Sequence, residues 1–271
     1  VLASLGVLLF SLAFPEGYEL ASAADKRVAL QQIILGYTAV TALTGVLVWF
    51  TLRSLPEVST SVHATIFGHF WEVMRFPAVW LQTIILVCAY TSYKAFDQYA
   101  LFAVRGYGID EIEAAQIVTL GAWTRPLAAL LLGLMADRFG VSKMTVICFV
   151  ILIISHSLFA FTGQEMGSFS YILANTAVTG IAIFGLRSLY FALFEEGQIP
   201  LGMTGTAVGV VSIIGYTPDV YVAAVAGYLI DSNPGLLGFQ YMFMCLLGTA
   251  LIGAAAAYAF TKLPKVVSTS P

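Results

Sequence analysis

Five charged side chains lie inside long apolar runs, where a charge points to chemistry. They are Lys94, Asp97, Arg125, Arg187 and Asp219. On insertion scales an ionised group at bilayer depth costs at least about 2.5–3.5 kcal/mol, so it is retained where it lines a pathway or meets a partner. There an arginine offers a planar fork of donors to an anion, and a carboxylate can take up and release a proton. The pattern predicts an anion site beside a proton-binding group.

Tyrosine and amide side chains accompany these charges on the same runs. With a rise of about 1.5 Å per residue, Arg125 lies about 16 Å from the end of its helix near Gly140, close to the bilayer midplane. Hydroxyl and amide groups around it would supply further donors and acceptors for a bound solute. The predicted substrate-binding residues are Arg125, Lys94, Tyr90, Tyr93, Gln98, Asn175 and Tyr216.

Structural interpretations stand beside these roles. Lys94 and Asp97 are three residues apart and can form an ion pair within one helix. Arg187 can extend its guanidinium to the lipid headgroups, an interpretation that we favour over a role in a cavity. Asp219 follows Pro218 and is either a proton-exchanging group or a fixed ion pair that caps a bent helix. The predicted proton-coupling residues are Asp219 and Asp97.

The composition identifies the environment of these residues. Hydrophobic residues make up 59% of the 271 residues and charged residues 10%, whereas soluble domains have about 25% charged residues. Apolar runs of bilayer-spanning length recur along the whole chain. The net charge of −3 is small, and no basic patch suits nucleic acid. We therefore expect an all-α, polytopic transmembrane helical bundle that contacts lipid and does not bind nucleic acid.

Apolar runs and their punctuation predict the helices. Residues 1–14 form the end of one span, and the full-length spans are 31–52, 76–104, 112–136, 144–162, 169–194, 204–230 and 238–261. The stretch "GYTPDVY", 215–221, predicts a broken or bent span because glycine and proline weaken the helix, and Pro126 predicts a kink. Other connections are short, which predicts antiparallel neighbours. The longest connection, 53–75, contains a candidate interfacial helix.

Lysine and arginine are distributed unequally between the two sets of loops. Placing the loop with "DRFG" in the cytoplasm puts Arg53, Arg75, Arg138, Lys143, Lys262 and Lys265 on that side. The opposite loops hold only Lys26, Arg27 and Arg105. Cytoplasmic loops carry an excess of these residues, so we expect the "DRFG" loop to be cytoplasmic.

The connection "GLMADRFGVSK" places several polar residues close together between two apolar runs. It resembles the signature loop G-x-x-x-D-R-x-G-x-x-K of the major facilitator superfamily, although Val141 stands where that family usually has a basic residue. The matching residues are Gly133, Asp137, Arg138, Gly140 and Lys143. Physically, Gly133 would let a neighbouring helix approach closely, and Asp137 can face the positive end of a helix dipole. Arg138 can pair with carboxylates or lipid phosphate. An ordinary turn with interfacial charges is the alternative.

The resemblance implies a domain organisation. Residues 76–271 would form the C-terminal six-helix half, 53–75 the cytoplasmic connecting loop, and 1–52 the end of the N-terminal half. In that family the first, second, fourth and fifth helices of each half line a central cavity. These are the helices after residue 75 that carry the charges, whereas the third and sixth carry none in their cores. The signature loop is then expected to act as a conformational latch.

The resemblance also implies a function. We expect a secondary transporter in the plasma (inner) membrane that moves a small organic solute by alternating access, with the N-terminal half of the same transporter as its partner. Arg125 and Lys94 favour an anion, and a coupling carboxylate would make the protein a proton symporter. A uniporter or antiporter stays open, and a non-transporting sensor or assembly protein on the same fold is the alternative.

Catalytic and cofactor signatures are missing from the sequence. It has no metal-binding, nucleotide-binding or nucleophile motif, so we expect neither an enzyme nor a bound metal or cofactor. Cys88, Cys148 and Cys245 lie in apolar runs without metal-ligand spacing and are expected to pack as small hydrophobic residues. His156, on an otherwise apolar helix, is expected to be a packed polar residue.

Overall fold

The chain folds into helices, and the computed structural model describes residues 23–51, 66–197 and 199–263. The longer helices are α1 (Ala23–Thr51), α2 (Ile66–Val73), α3 (Pro77–Ala95), α4 (Glu111–Phe139), α5 (Val141–Phe161), α6 (Phe169–Leu189), α7 (Leu201–Gly215), α8 (Pro218–Ser232) and α9 (Leu236–Thr261). A short helix, Leu193–Glu196, follows α6. These described ranges contain no strand. The predicted all-α polytopic helical bundle is therefore confirmed.

The chain separates into two units, Val1–Thr60 and Ser61–Pro271. The first contains α1, which is already helical at Ala23, ahead of the predicted start at residue 31. The reason is that "AADKRVAL" is polar at its start but rich in good helix formers, so the helix extends beyond the apolar run. The predicted partial span 1–14 and the first part of the connection, 52–65, lie outside the described residues.

Six described segments are long and apolar enough to cross a bilayer. They are Ile34–Thr51, Glu113–Phe139, Val141–Phe161, Phe169–Leu189, Gly202–Ser232 and Leu236–Thr261. One of the seven predicted spans, 76–104, is not among these six. It begins with α3, whose mean hydropathy is lowered by polar side chains such as Gln82 and Lys94. α3 packs against α6, α7, α8 and α9. A helix that carries this many polar groups is best placed inside a bundle, away from lipid.

Two helical runs are interrupted. α7 ends at Gly215 and α8 begins at Pro218, which confirms the break predicted at "GYTPDVY". The run that begins with α3 changes to a 3-10 turn at Phe96–Gln98, returns to an α-helical turn at Tyr99–Leu101 and continues as a π-helix to Gly106. We name Phe96–Gln98 the α3 joint. The sequence gives no sign of it, because neither glycine nor proline lies there. α4, by contrast, continues through Pro126.

An aromatic cluster fixes the chain beyond the α3 joint. The Phe102 ring lies 4.9 Å from Phe159 and 4.8 Å from Phe243 between centroids. Tyr99 stacks on Phe243 at 5.5 Å. Such contacts contribute about 0.5–1.5 kcal/mol per pair beyond the area that they bury. This segment is therefore anchored to α5 and α9, on the far side of the joint from α3.

Two polar contacts join α5 to α6. The Ser155 hydroxyl donates to the Asn175 side-chain oxygen at 2.6 Å, and the Asn175 amide donates to the Ser155 carbonyl at 3.0 Å. Toward the connection between the two helices, the hydroxyls of Thr162 and Tyr171 lie 2.8 Å apart. Buried polar groups in a membrane need such partners, and here they tie the two helices at two depths.

α9 packs closely against α3 and α5 at Gly253. A Cβ at this position would lie 2.3 Å from Cε1 of Phe149 on α5 and 2.9 Å from Cβ of Cys88 on α3. Phe149 is itself fully buried and has no space to retreat. Only glycine fits here, as small residues do where membrane helices approach closely.

Gly253→Ala is expected to lower the free energy of unfolding by about 1–3 kcal/mol, because the methyl group overpacks the α3–α5–α9 contact. Gly248→Ala is the matched control on the same helix, since a Cβ there meets nothing within 4 Å. Denaturant unfolding in detergent measures both variants. Equal stability of the two would contradict the packing at Gly253.

The topology can be tested with single cysteines in a background that lacks Cys88, Cys148 and Cys245. Lys143 and Ser232 are both exposed, whereas Ser142 is buried and unsuitable. Three spans separate the two positions, so Lys143→Cys should react with an impermeant maleimide from the cytoplasmic side and Ser232→Cys from the opposite side. Labelling of both positions from one side would show that the order of the spans is wrong.

Candidate functional site

Lys94 binds two carboxylates from different parts of the chain. Its Nζ lies 3.2 Å from Asp97 Oδ2 in the α3 joint and 3.4 Å from Asp219 Oδ1 in the first turn of α8. The intrahelical pair expected from the sequence is present, and Asp219 shares the same ammonium. We name these three residues the charge triad. It connects α3, the α3 joint and the helix that follows the break.

Tyrosines surround Asp219 and the break. The Tyr90 hydroxyl donates to Asp219 Oδ2 at 2.9 Å, and the Tyr90 ring meets the edge of Tyr216 with centroids 4.7 Å apart. The hydroxyl of Tyr216 lies 3.5 Å from that of Tyr190. Gln82 donates to the Tyr190 carbonyl at 2.6 Å, which ties α3 to the end of α6. Both oxygens of the Asp219 carboxylate therefore have a partner, Lys94 at Oδ1 and the Tyr90 hydroxyl at Oδ2.

Two arginines lie over aromatic rings beside the triad. The guanidinium carbon of Arg125 is 4.6 Å from the centre of the Phe184 ring, and that of Arg187 is 4.4 Å from Tyr93. Tyr93 and Phe184 meet edge to face at 6.3 Å, and Tyr93 also stacks on Tyr90 at 5.3 Å. We name Arg125, Phe184, Tyr93 and Arg187 the arginine–aromatic row.

The arginines of the row keep their donors open. Both side chains are exposed, and no carboxylate of the described residues lies within ion-pair distance of either guanidinium. A ring face attracts a cation without occupying its N–H groups. The Arg187 guanidinium, which the sequence favoured as extending to the lipid headgroups, lies here on the Tyr93 ring in the cluster.

Three other residues singled out in the sequence lie apart from this cluster. Asn175 is buried against Ser155 between α5 and α6. Gln98 ends the α3 joint and, within the described residues, makes no hydrogen bond to the triad or the row. His156 is fully buried, with its ring 6.2 Å from Phe243, which agrees with the packed polar residue expected. The predicted binding residues that the structure brings together are Lys94, Tyr90, Tyr93, Arg125 and Tyr216.

A second polar cluster forms at the loop between α4 and α5. Gly140 has a φ of +97°, which favours glycine, and it connects α4 to α5. Glu196 accepts from the backbone N–H of Val141 at 2.6 Å and from that of Ser142 at 3.2 Å. A carboxylate at this position accepts from N–H groups at the start of α5 that have no partner within the helix. Its negative charge also interacts favourably with the positive end of the helix dipole. The short helix after α6 is thereby attached to α5.

Two physical expectations for the loop need correction. The carboxylate at the N-terminus of α5 is Glu196, because Asp137 lies exposed in the last turn of α4. A Cβ at Gly133 would meet nothing within 4 Å among the described residues, so no close helix approach occurs there. Lys143 is exposed, and the Arg138 guanidinium lies 5.5 Å from the Phe139 ring.

Sequence reasoning missed partners that carry no signal of their own. Phe184 has no polar atom. Tyr190 lies inside the predicted span 169–194, where the helix was expected to continue. Glu196 lies 55 residues from its partner Val141 along the chain, so no local pattern connects the two. The one usable signal is the spacing of Phe184 and Arg187, three residues apart on one helix face.

Glu196→Gln is expected to destabilise the protein by about 0.5–2 kcal/mol, because an amide loses the charge that caps α5 and one acceptor oxygen. Glu195→Gln is the control, since Glu195 is the exposed neighbour on the same short helix. Thermal unfolding in detergent reports both variants. A similar loss in the two would mean that the cap contributes nothing specific.

Comparison with known proteins comes from two relatives, and no family model matches the chain. The chain is 24% identical over 254 residues to Inner membrane protein YqcE of Escherichia coli K12, covering 90% of this chain and 59% of that protein. It is 22% identical over 240 residues to Inner membrane protein YihN of the same organism, covering 83% and 56%. The chain thus spans less than three fifths of each relative's length. Together with the six apolar spans, these relatives identify a multi-pass inner membrane protein.

Proposed function

We propose that the protein is a secondary transporter that carries a small organic anion across the membrane by alternating access. The observation that supports it best is the pair Arg125 and Arg187, held on aromatic rings within helices of membrane-spanning length. Neither has a carboxylate partner among the described residues. A guanidinium without a counter-ion is unfavourable in a membrane interior, so an anion from solution would complete this site.

The roles of individual groups follow from their chemistry. Arg125 and Arg187 would grip the acid group with planar N–H forks. The two carboxylates of the triad neutralise Lys94, so its ammonium would attract the solute at a distance more than by direct contact. The ring faces and hydroxyls of Tyr93 and Tyr216 would orient the remainder of the solute. A solute that carries hydroxyl or other polar groups beside its acid group fits this lining best.

The proposal extends to the whole protein through the resemblance to the major facilitator superfamily. Residues 76–271 would act as the C-terminal half, 1–52 as the end of the N-terminal half, and 53–75 as the cytoplasmic connection. The N-terminal half of the same transporter would complete the cavity. The loop from Gly133 to Lys143 would act as the latch, with Glu196 holding α5. Proton coupling would pass through the carboxylates of the charge triad.

Reconstituted proteoliposomes test this function. The purified protein is supplied with radiolabelled lactate, succinate, inorganic phosphate and glycerol phosphate, and uptake and counterflow are measured against empty vesicles. Saturable, protein-dependent flux of an anion supports transport. Binding of these anions without flux would favour the alternative, a non-transporting sensor or assembly protein. Chemical conversion of a solute would argue for an enzyme instead.

Arg125→Lys keeps the positive charge but loses the bidentate fork, so we expect at least about a tenfold loss of anion affinity, equivalent to about 1.4 kcal/mol. Arg105→Lys is the matched control, because Arg105 pairs with Asp231 at 3.9 Å on an exposed surface. The affinity is read from the concentration dependence of uptake or binding. Normal affinity in Arg125→Lys together with loss in Arg105→Lys would show that the site is placed wrongly.

A further inference from the structure

We propose that Asp97, and not Asp219, is the carboxylate that takes up the transported proton. This inference rests on the transport function proposed above and assigns its coupling step to one residue. The proton would come from water on one side of the membrane, reside on the Asp97 carboxylate during the movement, and return to water on the other side. Asp219 would stay ionised throughout as a fixed part of the site.

Three contacts hold the negative charge of Asp219. Lys94 lies 3.4 Å from one carboxylate oxygen, and the Tyr90 hydroxyl donates to the other at 2.9 Å. Asp219 also lies in the first turn of α8, where the positive end of the helix dipole favours an anion. Adding a proton to Asp219 would weaken all three contacts together.

Asp97 is held by one contact and is open to water. Its only hydrogen-bond or ion-pair partner among the described residues is Lys94, at 3.2 Å, and 68% of its side chain is exposed. When Asp97 is neutral, Lys94 still has Asp219 beside it. A proton on either carboxylate leaves Lys94 with the other one as its partner, but a proton on Asp219 also weakens the hydrogen bond from Tyr90 and thus both polar contacts of Asp219 with α3.

The other titratable and charged groups near the triad already have partners of their own. Tyr90 donates to Asp219, and Arg187 lies on the Tyr93 ring. Tyr216 faces Tyr190. Tyr221 on α8 lies 3.4 Å from the Thr91 hydroxyl. Within the described part of the chain, none of these groups contacts the Asp97 carboxylate, so they leave it free to exchange a proton with water.

The position of Asp97 links a proton to both charge and shape. The triad and the two arginines contain three cations and two carboxylates, so a proton on Asp97 lets the site neutralise one more negative charge on the solute. The same proton removes the ionic tie between Lys94 at the end of α3 and the α3 joint. The joint is then free to change its angle while the segment beyond it stays anchored by the aromatic cluster.

A water-soluble carbodiimide tests this assignment without any knowledge of the solute, because it reacts with protonated carboxyl groups that water reaches. The purified full-length protein in liposomes is treated at acidic and alkaline pH, and adducts are located by peptide mass spectrometry. We expect an adduct on Asp97 that decreases as the pH is raised, and none on Asp219. An adduct on Asp219, on both residues or on neither would overturn the proposal.

Three variants keep the test valid even when one of them fails to fold. Asp97→Asn should lose the adduct and Asp219→Asn should keep it, while Asp97→Glu should restore a carboxyl that reacts. An adduct lost in Asp219→Asn but kept in Asp97→Asn would reverse the assignment. The outcome is separate from the transport assay: flux without an Asp97 adduct refutes this inference alone, whereas an adduct without flux refutes the transport function.

Discussion

A charge inside a membrane is stable only with a counter-charge or polar partner beside it, and Lys94 meets this condition with two carboxylates at once. Much of the second unit follows from this requirement. α3 lies in the interior because it carries the ammonium. Asp219 reaches it because the break at Gly215–Pro218 begins a new helix there. Tyr90 then engages the remaining oxygen of Asp219.

The arginines show a second way of stabilising a cation. Their ring partners, Phe184 and Tyr93, supply attraction without accepting hydrogen bonds. A carboxylate in the same place would have occupied the guanidinium fork. The site therefore combines two arrangements. In the triad the ammonium and the carboxylates satisfy one another, whereas the N–H donors of the two arginines stay available. This difference separates groups suited to holding the helices from groups suited to holding a solute.

The sequence determines the helices and the break but not the pairings. Length, apolarity, glycine and proline were enough for the spans and for the interruption before Pro218. The Lys94–Asp97 pair was visible because it is local, whereas the Lys94–Asp219 pair depends on how α8 packs. The ring partner of Arg187 could not be predicted, because depth along a helix does not say which ring its side chain covers. Gly133 and Glu196 show the same limit: a motif locates polar residues, but only packing decides which of them caps α5.

The contacts between α5 and α6 have a mechanical consequence. These helices are fastened near the middle by Ser155 and Asn175 and at one end by Thr162 and Tyr171, while Glu196 attaches the short helix after α6 to the start of α5. Polar contacts at two depths oppose both sliding and separation of α5 and α6. A change in the shape of the bundle is therefore expected at the α3 joint and at the break between α7 and α8, where regular helix is interrupted.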